Sequence, residues 1–272
     1  MATRRDYMAA RSIEAAKSAM DIGKIPPVKN RRRRNKSEKS LKVFCDTYLS
    51  DKFCWAWSQD QKDAIALLQR VVTDGGQFAF AMYRGGGKTS MCEAAVLSAI
   101  LYGHRKFVVV VGATDAAATD ILGTIKYILE SNELLAADFP EAIHPITMLE
   151  GEARRCNRQT YKSVRTRIEW GQDRITLATI PKAACSGTVV QAVGITGRML
   201  GMKRGNLRPD CLLIDDPQSR ESAASPTQNA KRIQIVQRQA LKLAGPKKRI
   251  ACMMPCTIIF PGDMVDELTD RQ

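Results

Sequence analysis

Only two histidines, His104 and His144, occur in 272 residues. None of the eight cysteines (45, 54, 92, 156, 185, 211, 252 and 256) belongs to a Cys-x-x-Cys pair. The ligand spacings of a structural zinc site are therefore missing. No apolar run approaches the ~20 residues that span a bilayer. The opening Met1-Ala-Thr-Arg-Arg-Asp6 leads into a charged amphipathic stretch, not a signal peptide. These absences leave the expectation of a reduced chain in the cytoplasm with no membrane partner. Several cysteines lie in apolar runs, as reduced core residues do.

Acidic residues are also in short supply: 28 Asp and Glu against 42 Lys and Arg give a net charge of +14. The imbalance is uneven. Residues 1–48 carry 13 basic side chains against 5 acidic ones, a surplus of +8, and the remaining 224 residues carry +6. A basic arm on a nearly balanced body points to a polyanion, most often nucleic acid. With 44% hydrophobic residues the body can build a core, which excludes global disorder.

Residues 6–22 have helical spacing (Met8, Ile13, Ala16, Met20) that stops at Gly23. The next stretch, Lys24-Ile-Pro-Pro-Val-Lys-Asn-Arg-Arg-Arg-Arg-Asn-Lys36, reads as a proline-stiffened, mobile basic linker. The arginines at 31–34 offer electrostatic anchoring rather than base reading. Globular composition begins near residue 41, so the arm is assigned to 1–40 and the main domain to 41–272. Within it, helical patterns at 60–72 (capped by Ser58), 89–102, 114–131 and 227–243 alternate with apolar strand-like runs. The runs lie at 78–82, 106–112, 174–180, 211–215 and 249–254. This alternation predicts an α/β fold, a mainly parallel sheet with helices on both faces.

The strand 78–82 runs into Tyr83-Arg-Gly-Gly-Gly-Lys-Thr-Ser90. Strand, glycine turn and helix start are the parts of a nucleoside triphosphate site. Gly85, Gly86 and Gly87 let backbone N–H groups curl around phosphates, Lys88 reaches the terminal oxygens, and the Thr89 hydroxyl, with Ser90 beside it, faces Mg²⁺. Two departures stand out: Met82 sits where the usual pattern wants glycine, and Arg84 puts a cation inside the loop, placed to stabilise charge on a transferring phosphoryl group.

The run Arg208-Pro-Asp-Cys-Leu-Leu-Ile-Asp-Asp-Pro217 predicts a buried strand ending in two acids, beside the strand that carries the glycine loop. Asp215 would orient Mg²⁺, and Asp216 could polarise the attacking water. Trp57 and Gln61, about twenty residues before the loop, could stack on and hydrogen-bond an adenine. The segment 187–206 is rich in glycine and cations. Its Arg198, Lys203 and Arg204 are candidates for following a phosphate backbone or for completing a neighbouring subunit's site. Thr257 ends the last strand in Pro255-Cys-Thr257, where a hydroxyl could sense the terminal phosphate.

Together these residues resemble the ATPase portion of the large terminase subunit, the DNA-packaging motor of tailed bacteriophages. The resemblance rests on Trp57-Ser58, Arg84-Gly-Gly-Gly-Lys-Thr89, Leu212-Leu-Ile-Asp-Asp-Pro217, Pro255-Cys-Thr257 and Pro261-Gly-Asp263, and covers the chain from about residue 44 onward. The arginine-bearing loop carries it furthest, because that is the family's usual departure from the general pattern. It implies a P-loop NTPase of the ASCE type, with ATP and Mg²⁺ as ligands, Arg84 as loop arginine and Asp215 as Walker-B acid. It implies Thr257 as the residue coupling hydrolysis to movement. The family commonly has Glu after the Walker-B Asp. Here that position is Asp216, so Glu221 stays a second candidate for the catalytic carboxylate. The expected partners are double-stranded DNA, further copies in a ring, the portal protein and the small terminase subunit. The site of action would be the host cytoplasm, transiently on the procapsid. The family's C-terminal nuclease is expected to be missing from this chain. A helicase-like DNA-dependent ATPase and a non-catalytic DNA- or partner-binding protein are the rival readings.

Overall fold

The computed structural model describes residues 19–197, 199, 201–244 and 249–269. In chain order the first elements are β1 (Met20–Asp21), α1 (Arg31–Glu38), α2 (Leu41–Tyr48), α3 (Gln59–Asp74), β2 (Gly76–Ala81) and α4 (Lys88–Leu101). Then come β3 (Phe107–Gly112), α5 (Asp115–Ser131), α6 (Glu133–Asp138), α7 (Pro140–Thr147), β4 (Gln159–Tyr161), β5 (Val164–Arg165), β6 (Glu169–Trp170) and β7 (Arg174–Thr176). The last are β8 (Val189–Gly194), β9 (Cys211–Ile214), α8 (Arg220–Ala223), α9 (Pro226–Arg238), β10 (Ala251–Cys256) and α10 (Met264–Thr269).

Side-chain alternation along the strands builds two cores, one on each face of the sheet. Val108 and Val110 of β3 point into one core with Leu213, Met253 and the buried faces of α3, α4 and α5. Phe107, Val109 and Val111 point into the other, with Leu212, Ile214, Met254 and residues of α9 and α10. The main sheet has seven strands in the order β2-β10-β9-β3-β8-β7-β6. The five from β2 to β8 are mutually parallel; β7 and β6 continue the sheet antiparallel. A small second sheet joins β1, β4 and β5. The fold is thus mixed α/β, with a mostly parallel sheet flanked by helices on both faces. No helix among the described residues is long and apolar enough to cross a membrane.

Ser58 and Gln61 close a capping box at the start of α3, and the Thr114 side chain caps α5. Several expectations need correction. Most of the expected helix 6–22 lies outside the described residues, and its end, Met20–Asp21, is a strand paired with Gln159 and Thr160. The expected strand 174–180 stops at Thr176, and the helix expected to reach 243 ends at Arg238, followed by a 3-10 turn at Ala240–Lys242. The first third of the supposed loop 187–206 is β8, which pairs with β3 along its whole length.

The basic linker is corrected too. It contains the helix α1, held against the body by buried charge rather than apolar area. Arg33 donates two bonds to the fully buried Asp138 (2.6 and 2.9 Å), and Arg34 pairs with Glu141 at 2.5 Å. Tyr102 Oη donates to the Arg34 carbonyl at 2.7 Å. A partner more than 100 residues away is invisible to a reading of local composition.

Candidate functional site

The site is assembled at the C-terminal ends of the parallel strands, from three segments. The first is the loop between β2 and α4. Gly86 N–H donates to the Tyr83 carbonyl at 3.1 Å, which turns the chain, and Gly85 and Gly87 take φ of 86° and 78°. Those left-handed values are open to glycine at little cost. Gly87 is the N-cap of α4 and provides no side-chain cap. The helix therefore presents its positive end and first-turn N–H groups as a seat for an anion. Met82, in the place of the usual glycine, packs against the core, and its N–H bonds the Cys256 carbonyl at 3.3 Å. Arg84 is exposed and makes no ion pair among the described residues.

The second segment is the end of β9. This acidic strand does not lie beside β2, as expected; β10 runs between them. Local pattern identifies strands but not their order across a sheet. Even so, Thr89 Oγ1 donates to Asp215 Oδ1 at 2.8 Å, spanning two strand spacings, roughly 10 Å of sheet. Lys88, almost fully buried, has its Nζ 3.6 Å from Asp216 Oδ2. Asp216 sits at φ 36°, a left-handed value that costs a non-glycine residue strain, and its N–H is tied to the Pro255 carbonyl at 3.1 Å.

Burial pushes the Asp215 carboxyl up to about 6, with the neighbouring charges of Asp216 and Glu93 adding to the rise. The Thr89 hydrogen bond and Lys88 oppose it without cancelling it. Such a group welcomes a cation. Among the described residues no cluster of three or more His, Cys, Asp or Glu side chains is present. Thr89 and Asp215 nevertheless fit Mg²⁺, which keeps most of its shell as water and substrate phosphate and needs only one or two protein oxygens.

The third segment follows β10. Thr257 is half-buried directly after the strand, beside the acid loop that Asp216 ties to Pro255. Asp263 accepts backbone N–H bonds from Ile259, Phe260, Val265 and Asp266, and Gln218 Nε2 donates to its Oδ2 at 2.6 Å. Gln218 is buried and lies three residues past Asp215. The loops after β9 and β10 are thereby joined by one side chain.

Other predicted residues lie further from this centre or do something else. Gln61 uses both ends of its amide: Oε1 accepts from Ser58 N–H and Nε2 donates to the Gly86 carbonyl at 3.0 Å. It braces the glycine loop. Trp57 stacks on Phe53, with ring centroids 5.0 Å apart, and its indole N–H donates to Asp46 at 2.8 Å. Ser90 is half-buried in the first turn of α4. Glu221 is exposed in the first turn of the short helix α8. Arg204 pairs with Glu169 of β6, at the sheet edge opposite β2; Lys203 is exposed beside it, and Arg198 lies outside the described residues.

Three residues were missed by sequence reading: Gln218, Asp263 as a loop organiser, and Glu93. Glu93 is buried one helical turn beyond Thr89 and pairs with Lys52 Nζ at 2.7 Å. Its spacing of i+4 from Thr89 was the available signal. Comparison with protein-family models and with curated proteins finds no match to this chain.

Proposed function

We propose that this chain is a P-loop NTPase of the ASCE type that hydrolyses ATP and couples turnover to movement of double-stranded DNA, as the motor portion of a large terminase subunit does. The observation that carries the reading is the Thr89–Asp215 hydrogen bond, which joins the helix start after a glycine loop to a half-buried acid at the end of a different strand. A flexible surface turn has no reason to meet such a carboxylate.

In this reading the loop N–H groups and the start of α4 receive the phosphates, and Lys88 neutralises the terminal one. Thr89 and Asp215 would hold Mg²⁺, which would draw charge from the phosphate oxygens. Asp216 is favoured over Glu221 as the group that orients water. It already lies beside Lys88, and a terminal phosphate competing for Lys88 would free its carboxylate. Arg84, exposed above the loop, supplies a mobile cation for the transition state. Thr257, Gln218 and Asp263 form the route from the acid loop to the segment after β10. The ring, the portal protein and the small terminase subunit as partners, and action on the procapsid, follow from the resemblance of these motifs.

ATP turnover with and without duplex DNA, compared between wild type and Lys88→Ala, tests the proposal. Turnover that DNA stimulates and Lys88→Ala abolishes supports a motor. Turnover that strips a complementary strand from DNA favours the helicase-like rival. No turnover in either protein at high concentration favours a binding protein with an inactive site.

A further inference from the structure

The four consecutive arginines of α1 do not act alike. Arg33 and Arg34 turn inward onto Asp138 and Glu141, and Ser37, on the same side one turn later, is buried. Arg31, Arg32 and Lys36 are exposed, flanked by exposed Lys29 and Lys39. Among the described residues none of these five side chains has a carboxylate partner, and α1 itself contains one acid, Glu38. Arg32, Lys36 and Lys39 follow the i, i+4, i+7 spacing that aligns side chains on one helix face.

This placement works against the helix. Cations in the first turn oppose the macrodipole, and like charges at i, i+4 repel. Asp138 and Glu141 offset that cost for Arg33 and Arg34; among the described residues nothing offsets it for Arg31 and Arg32, while Lys36 in the last turn suits the dipole. The helix is nonetheless held rigidly: Asn30 N–H bonds Asp138, Arg33 grips the same carboxylate, and Tyr102 bonds the Arg34 carbonyl. A fixed strip of unpaired cations, roughly 10 Å long over seven residues, is complementary to a regular array of phosphates.

We propose that the outward face of α1, formed by Arg31, Arg32 and Lys36 with Lys29 and Lys39, is a docking surface for the phosphate backbone of duplex DNA. The identity of the polyanion as duplex DNA rests on the function proposed above; the surface itself rests on charge and geometry. It lies at the opposite end of the sheet from the glycine loop. Tyr102 sits at the C-terminal end of α4 and touches α1, while Lys88 opens the same helix, so roughly 20 Å separates the two regions. DNA held there leaves the nucleotide site open. Phosphate contacts of this kind bind without reading sequence.

The test is binding of a fluorescent 30-base-pair duplex to the nucleotide-free chain, followed by anisotropy across a KCl series. Wild type is compared with the triple variant Arg31→Ala/Arg32→Ala/Lys36→Ala and with its Gln counterpart, both checked for an unchanged melting temperature. Each phosphate contact contributes about 0.9 to the slope of log affinity against log salt. The triple variants should bind at least about 10-fold more weakly at 0.1 M salt, with a slope lower by about 2 to 3. An unchanged affinity and slope overturns the proposal, as does a wild type that binds no duplex. Unchanged DNA binding with lost binding to polyglutamate also overturns it, in favour of an acidic protein partner. Because no ATP is present, the result stands apart from the function reading. Wild type and Lys88→Ala equally inert toward ATP would sink that reading while leaving this one decided by the salt slopes.

Discussion

Thr89 and Asp215 meet through a 2.8 Å hydrogen bond although the strands that lead into them, β2 and β9, are not neighbours. The contact depends on β10 holding the two strand ends level, and on α4 starting immediately after the glycine loop. The threonine hydroxyl partly compensates a carboxylate that burial disfavours in its charged form.

Asp215→Asn should therefore stabilise the fold while ending catalysis. The Asp215 carboxyl is raised from 3.8 to about 6, so between those values the folded chain keeps a proton that the unfolded chain releases. Stability attributable to this group falls as pH rises through that window and stays lower above it. The variant should melt roughly 3 °C or more above wild type at pH 7.5, and the gap should close below pH 4. ATP turnover, which needs the charged form to hold Mg²⁺, should be lost in the variant. Equal melting differences at pH 4 and pH 7.5 would contradict the assigned shift.

Arg84 is predicted to matter for chemistry and not for folding. It is exposed and unpaired among the described residues, so Arg84→Ala should leave the melting temperature within about 1 °C of wild type. Its loss should lower kcat roughly 10³-fold, the scale of an arginine finger, with ATP binding changed only a few-fold. Arg84→Lys keeps the charge but not the planar fork and should recover only part of the rate. A kcat within threefold of wild type for the alanine variant would remove Arg84 from the mechanism.

Asp138 is the structural counterweight of the basic segment. It is fully buried and accepts from Arg33 Nε and Nη2, Asn30 N–H and Tyr48 Oη. Asp138→Ala leaves Arg33 without its partner. The side chain of Arg33 is 29% exposed, so water recovers part of the loss and the cost belongs at the low end for a broken buried pair, about 3 kcal/mol. Urea titration should show a lower midpoint with little change in slope. A destabilisation under about 1 kcal/mol would mean that α1 is attached by something else.

Some of this was legible in the sequence. The run of valines at 108–111 could only be a buried strand, Ser58 announced its helix, and the glycine loop stood out against the apolar strand before it. What was hidden depends on distance along the chain. Val189–Gly194 has a strand's apolar pattern, but the surrounding glycines and cations made it read as loop. The docking of α1 rests on Asp138 and Glu141, and the insertion of β10 between β2 and β9 is a matter of crossover path. Gln61 was read for an adenine because its own amide is versatile. Its bond to Gly86, 25 residues later, ties it to the glycine loop, a partner that local pattern does not reveal.

Gln218 offers the last prediction, because among the described residues its side chain hydrogen-bonds the acid loop to the segment after β10. Its Nε2 donates to Asp263 Oδ2, while Asp263 keeps four backbone N–H donors and a carboxyl held below its ordinary range by those bonds against the effect of burial. Removing Gln218 should thus leave the Asp263 loop folded, at a cost of about 1 kcal/mol for one lost hydrogen bond. If the link transmits the state of the acid loop, Gln218→Ala should keep DNA-independent ATP turnover within a few-fold of wild type yet lose most of the DNA stimulation. Asp263→Asn, which keeps the acceptor oxygen for Gln218 but weakens the backbone bonds, should instead lower the melting temperature as its main effect. A Gln218→Ala protein stimulated by DNA as strongly as wild type would show that movement and hydrolysis communicate by another path, such as the Asp216–Pro255 backbone bond between the two strand ends.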